Sequence, residues 1–257
     1  ELKTGTRVES LDPLFAQGYD AAFLAVGAHR GVRMGIEGED SPGVIDALSF
    51  LRRVNLGKCP TMGKSVTIVG GGNSAVDASR TALRLGAEEV TVVYRRTRAE
   101  MRAYPEEINQ AIREGVNIVY LAAPSRIIAE DGRLKMECVR TRPGSKAADG
   151  PPHPVIGSEF TVDTELLIVA VGQEPEIPQE FSFLLKGKTI QISPDSMQTA
   201  RAGVFAGADC VTGPSSVIEA IAAGKRAAKL VILITFYLRV SQILYCLLPT
   251  HAHLHFL

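Results

Sequence analysis

Short apolar runs that end in glycine alternate along this chain with stretches whose apolar residues recur at helical spacing, the pattern of an α/β protein. Tyr19 to Val26 (YDAAFLAV) reads as a buried strand ending at Gly27, and Gly31 to Gly43 as loop. Asp46 to Val54 is predicted as a short helix, and Ser65 to Val69 (SVTIV) as a buried strand. Asn73 suits the cap of a helix in which Val76, Ala82 and Leu83 share a face, ending at Gly86. Val90 to Tyr94 is a further strand. Pro105 to Glu114 is a helix with proline in its first turn and acids at its positive end, and Val116 to Leu121 is a strand. Ser125 to Ala129, Arg133 to Arg140 and Glu159 to Val162 suit an antiparallel meander, and Glu165 to Val171 returns to a buried strand. A short strand at Thr189 to Ile192, the stretch Gly203 to Ala206 and a Gly- and Ser-rich turn lead to a last helix, Val217 to Ala228.

Composition narrows the function classes. The 257 residues carry 28 basic and 28 acidic side chains, so net charge gives no reason to expect nucleic acid, an anionic membrane or an acidic partner. The four cysteines (Cys59, Cys138, Cys210, Cys246) form no C-x-x-C. That speaks against a disulfide scaffold, a zinc knuckle, a cluster site within these residues and a dithiol reductase, and it fits a reducing cytoplasm. A start at Glu1 is expected of a fragment.

The sharpest local signal is Gly70-Gly71-Gly72 between a strand and a helix, with Ala75 three residues on. Gly70 permits a tight turn, Gly72 lets a pyrophosphate approach the backbone, and Ala75 lets helix and strand pack closely. The helix start, with Asn73 and Ser74, offers amide donors and positive potential to phosphate. An NAD-type site wants a carboxylate about 20 residues further on. Glu88 and Glu89 have that spacing but precede the second strand, at its wrong end. The far tip of that strand carries Arg95, Arg96, Arg98 and Arg102, whose guanidiniums suit a 2′-phosphate. NADPH is therefore expected, with Arg95 and Arg102 as main ligands and Arg96 in support. Two strand ends match each other, Ala25-Val26-Gly27 and Ala170-Val171-Gly172, and mark places where the chain could cross between nucleotide domains.

In combination, Val66 to Ala123, Phe205 to Asp209 and Gly213 to Ala228 resemble the small subunit of NADPH-dependent glutamate synthase. Related proteins are the flavin-bearing half of dihydropyrimidine dehydrogenase and NADPH:ferredoxin-type oxidoreductases. The resemblance implies an α/β, glutathione reductase-like flavoprotein with an NADPH domain (46–175) inserted in an FAD domain (1–45 and 176–228). Hydride would pass from NADPH to FAD, and electrons onward to iron–sulfur clusters of a large subunit or other redox partner. It places Gly207 and Asp209 at the FAD ribityl–pyrophosphate region, and Ser216 and Val217 beside the isoalloxazine. No acid–base pair is implied. The family's first FAD motif and its cluster-binding cysteines would lie upstream of Glu1. The family usually has glycine where Ala208 stands, which bears on FAD geometry; with half the flavin site outside these residues, a non-catalytic NADPH-binding remnant stays open as the alternative.

Residues 229–257 break the pattern: they contain no Gly, Asp or Glu. Leu230 to Leu248 is long enough to span a bilayer, but Arg239 lies mid-segment at a cost of about 2.5–3.5 kcal/mol. A membrane anchor is disfavoured against a packing helix or a non-native extension. A membrane-attached quinone reductase is a further class on this scaffold. His251, His253 and His255 alternate with nothing nearby to complete a metal site.

Overall fold

The computed structural model describes residues 1–58, 60, 62–130, 132–143 and 152–247, with backbone alone at 183 and 234–247. Cys59 and the three terminal histidines lie outside the described residues. The chain separates into a central unit, Arg30–Gln173, and an outer unit made of Glu1–His29 and Glu174–Leu257.

The central unit contains β1 (Val44–Asp46), α1 (Ala47–Asn55), β2 (Ser65–Val69), α2 (Asn73–Arg84), β3 (Glu89–Tyr94), α3 (Pro105–Arg113) and β4 (Asn117–Tyr120). These are followed by β5 (Ala122–Glu130), β6 (Arg133–Arg142), β7 (Phe160–Thr164) and β8 (Leu166–Val169). Its main sheet runs β1-β8-β2-β3-β4, all parallel. Every residue of β8 and all but the first of β2 are buried, as expected of strands covered on both faces. One side is filled by Phe50, Val66, Ile68, Ala75, Val76, Ala82, Val92 and Ile108. The other is filled by the antiparallel meander β5-β6-β7, through Ile127, Leu134, Met136 and Cys138.

Three differences from the sequence pattern have physical reasons. Asp46 is the cap of α1, its carboxylate accepting from the Ser49 N–H at 3.0 Å, and it also ends the edge strand β1. That strand is three residues long and follows a glycine-rich loop, too short to leave an alternation. Residues 30–45 pack with the central unit rather than with the flanking segment. The Gly43 carbonyl accepts from the Leu167 N–H at 2.8 Å, the Glu37 carbonyl accepts from the Ile127 N–H at 2.9 Å, and β1 pairs with β8. The cap of α2 is Gly72, and Asn73 is its first helical residue.

In the outer unit, Ala22–Leu24 pairs in parallel with Val204–Ala206 over a core of Leu11, Phe181, Leu184, Ile190 and Cys210. The expected eight-residue strand from Tyr19 is ladder-bonded at three positions only. The last helix does not stop at Ala228 but runs from Val217 to Leu247. No helix-breaking glycine or proline occurs from Lys225 to Leu247, so the helix has no local reason to end. Among the described residues no helix is long and apolar enough to cross a membrane.

Candidate functional site

The glycine turn lies where β2 meets α2, at the end of the sheet that also receives the tips of β8 and β3. Gly70 has φ +150°, and a Cβ there would sit 2.2 Å from the Ala170 carbonyl oxygen. The first glycine thus admits the neighbouring strand's backbone as well as the turn. A Cβ on Gly71 would lie 2.4 Å from the Tyr94 ring, so this position is glycine to accommodate an aromatic side chain. At Gly72 a Cβ would meet nothing within 4 Å. No packing among the described residues calls for glycine there, and the open space fits a ligand brought against the backbone. Ala75 is fully buried, as close helix–strand packing requires.

The N–H groups of Gly72, Asn73 and Ser74 have no partner among the described residues; the first amide of the helix to find one is Ala75, bonded to the Gly72 carbonyl at 3.0 Å. No side chain caps the helix. Three aligned donors at a helix start form a ready anion site. The Ser74 hydroxyl accepts from the Gln173 side-chain amide at 2.6 Å, which ties the segment after Gly172 to the helix start. Gly172 has φ +148°, and its carbonyl accepts from the Val32 N–H at 3.0 Å.

The arginine tip adjoins this turn. Arg95 and Arg102 are exposed and have no ion pair among the described residues, while Arg96 is half-buried. Burial raises the Tyr94 phenol above its ordinary pKa, against the opposing pull of Arg96, Arg95 and Arg102, so all three guanidiniums act on the ring that covers Gly71. The roots of two arginines are anchored by the meander. The Thr141 hydroxyl donates to the Arg95 carbonyl at 2.7 Å, and the Leu121 N–H to the Arg96 carbonyl at 3.2 Å. No sequence signal pointed to Thr141, because its partner Arg95 lies 46 residues away in the chain, and none pointed to Leu121. Glu88 pairs with Lys64 at 3.1 Å, at the opposite end of the sheet.

A family model described as pyridine nucleotide-disulphide oxidoreductase matches residues 3–224. The chain belongs to the pyridine nucleotide-disulphide oxidoreductase family. Among its relatives it is 44% identical over 218 residues to the NADP(+)-dependent formate dehydrogenase subunit beta of Moorella thermoacetica, covering 82% of this chain and 31% of that protein. It is 35% identical over 253 residues to the glutamate synthase [NADPH] small chain of Escherichia coli, covering 89% of this chain and 53% of that one. The chain therefore spans 31% of the length of the first of these relatives and 53% of the second. A solved structure of FprA from Mycobacterium tuberculosis in complex with NADPH aligns with TM-score 0.69 at 17% identity, over 90% of this chain and 66% of that one. The expected fold class, α/β of the two-dinucleotide-domain flavoprotein type, stands.

Among the described residues, membership in a pyridine nucleotide-disulphide oxidoreductase family is not accompanied by a redox dithiol. The two described thiols, Cys138 and Cys210, lie in different units and are buried, and burial pushes Cys138 up to about 11. Such thiols are poor nucleophiles at neutral pH.

The remaining expected site residues lie in the outer unit. Gly27 has φ +72° and follows the strand Ala22–Leu24. The Gly207 N–H donates to the Leu24 carbonyl at 3.1 Å. Ala208 takes φ +59° and ψ −153°, a conformation natural to glycine, and Asp209 opens a four-residue helix. Ser216 caps the last helix. Its hydroxyl accepts from the Glu219 N–H at 3.3 Å, and the Glu219 carboxylate takes back the Ser216 N–H at 3.1 Å. This capping box engages the Ser216 amide, whereas the Val217 N–H has no partner among the described residues. Hydrogen bonds from the Ser215 and Ser216 side chains and the Ser216 amide hold Glu219 down to about 2.

Proposed function

We propose that this chain is the NADPH-binding part of an FAD-linked oxidoreductase subunit, which passes hydride from NADPH to FAD and electrons onward to an iron–sulfur partner. The observation that carries the reading is Gly72, where open space at the Cβ position, three unclaimed amides and two unpaired exposed arginines meet. The amides suit a pyrophosphate, and Arg95 and Arg102, with Arg96, suit the 2′-phosphate that distinguishes NADPH from NADH. The relatives' names, an NADP(+)-dependent dehydrogenase subunit and a glutamate synthase small chain, agree with a subunit of a larger redox assembly. In this reading the central unit, Arg30–Gln173, holds NADPH, residues 1–29 and 174–228 contribute to FAD binding, and the protein works in the cytoplasm.

When bound, the nicotinamide supplies a hydride and the flavin accepts it; the chain's own task is to bind and orient. Gly70 to Ser74 hold the pyrophosphate, the arginines select the adenosine end, and Gly27, Gly172, Gly207, Asp209 and Val217 line backbone turns suited to cofactor approach. No proton-transfer residue is required.

A second reading, an NADPH-binding remnant without flavin chemistry, is favoured by the Cβ of Ala208 in a glycine conformation and by the occupied Ser216 amide. NADPH fluorescence titration tests the nucleotide site: tight binding with strong preference over NADH supports it, and equal affinity removes the arginine assignment. The visible spectrum of the purified protein separates the two readings. A flavin band supports the enzyme, and colourless protein that binds NADPH supports the remnant.

A further inference from the structure

We propose that the Asn73 side chain positions Arg102 for nucleotide selectivity; the Asn73 amide serves the pyrophosphate, while the carboxamide acts through Arg102 and does not touch the cofactor. This rests on the nucleotide reading above. Residues 102–104 run alongside residues 71–73 and are bonded to them at three points. The Arg102 and Ala103 amides donate to the Gly71 carbonyl at 3.0 and 3.2 Å, and the Tyr104 amide donates to the Asn73 side-chain oxygen at 3.1 Å. The first two bonds join backbone to backbone. The third depends on one side chain, the Asn73 carboxamide, whose oxygen is engaged by the Tyr104 amide.

The consequence concerns Arg102. Its side chain is exposed, with no ion pair among the described residues, so only the placement of its root limits where the guanidinium can go. The root is held to the glycine turn on which the pyrophosphate would rest. With both ends of 102–104 fastened, the distance between pyrophosphate donors and 2′-phosphate donor is set by the protein before any ligand arrives, which lowers the ordering cost of binding. Releasing Tyr104 frees one end of that segment. NADPH depends on Arg102 in this arrangement and NADH does not, so the release falls on NADPH alone.

A double-mutant cycle on the full chain tests this, with NADPH and NADH affinities measured for Asn73→Ala, Arg102→Ala and the double variant. Loss of one such hydrogen bond corresponds to roughly a five- to tenfold weaker NADPH affinity in Asn73→Ala, with NADH affinity within about twofold of the unaltered chain. In the Arg102→Ala background the further change on adding Asn73→Ala is under about twofold, the signature of a shared route. Hydrogen exchange at the Tyr104 amide, without nucleotide, is faster in Asn73→Ala. Equal loss of both nucleotides, additive losses in the double variant, or unchanged Tyr104 exchange each overturn the proposal. Unchanged NADPH affinity in Asn73→Ala overturns it while leaving the nucleotide reading intact. No NADPH binding by the unaltered chain overturns both.

Discussion

At Gly72 the helix that follows begins with three amides unclaimed, whereas at Ser216 the following helix begins with a carboxylate of its own chain already on the cap. The turns leading in differ in the same sense. The central turn is built from glycines whose missing Cβ atoms admit a carbonyl, an aromatic ring and open space in succession. The outer turn forces an alanine to φ +59°. A helix start with positive potential is therefore not a ligand site by itself. Whether the protein satisfies its own donors decides the matter, and here the central unit leaves them open while the outer unit closes part of its own.

The sharpest way to break this contrast is Gly70→Ala. With φ +150° and a Cβ only 2.2 Å from the Ala170 carbonyl oxygen, the substitution is expected to destabilise by at least about 3 kcal/mol, read as a fall in thermal midpoint. Gly72→Ala sharpens the contrast from the other side. Its stability is expected to stay within about 1 kcal/mol, because φ is −97° and nothing lies near the added methyl, while NADPH affinity falls roughly tenfold or more. Charge reversal at Arg95 and Arg102 together is expected to weaken NADPH binding by about two orders of magnitude and to leave NADH nearly unchanged, since two charge-assisted contacts are lost. In the outer unit, Ala208→Gly is expected to stabilise by about 1 kcal/mol, the relief of backbone strain less the entropy of glycine.

The smallest effect concerns Glu219. Its carboxylate is held well below its ordinary value of 4.5, down to about 2, so the cap is fully present above about pH 4.5 and is lost as pH falls through 2. Amide exchange at the start of the last helix is expected to accelerate across that window, and Glu219→Gln is expected to abolish the pH dependence.

The sequence pattern revealed the parallel core because β2, β3 and β8 are long enough and apolar enough to announce burial. It also revealed the open turn, since Gly70, Gly72 and Ala75 each have a steric reason visible in spacing. It missed β1, whose three residues pair with β8 but show no alternation, so residues 30–45 were read with the flanking segment, whereas their contacts group with the central sheet. The end of the last helix was assigned from a change in composition at Lys229, which carries no backbone signal. Gly71 shows a deeper limit. Its carbonyl and missing Cβ serve Arg102, Ala103 and Tyr94, partners 23 to 32 residues away in the chain, and no local pattern encodes such a meeting. For the same reason Asn73 reads in sequence as a cap and proves in the fold to be a brace for Tyr104.

Arg95 and Arg102 reach outward from a frame whose own bonds do not involve their side chains. On the reading proposed above, coenzyme choice is an interchangeable fitting on a fixed chassis. Lineages, or engineers, could convert it from one nicotinamide currency to the other at the surface, leaving the buried architecture beneath untouched.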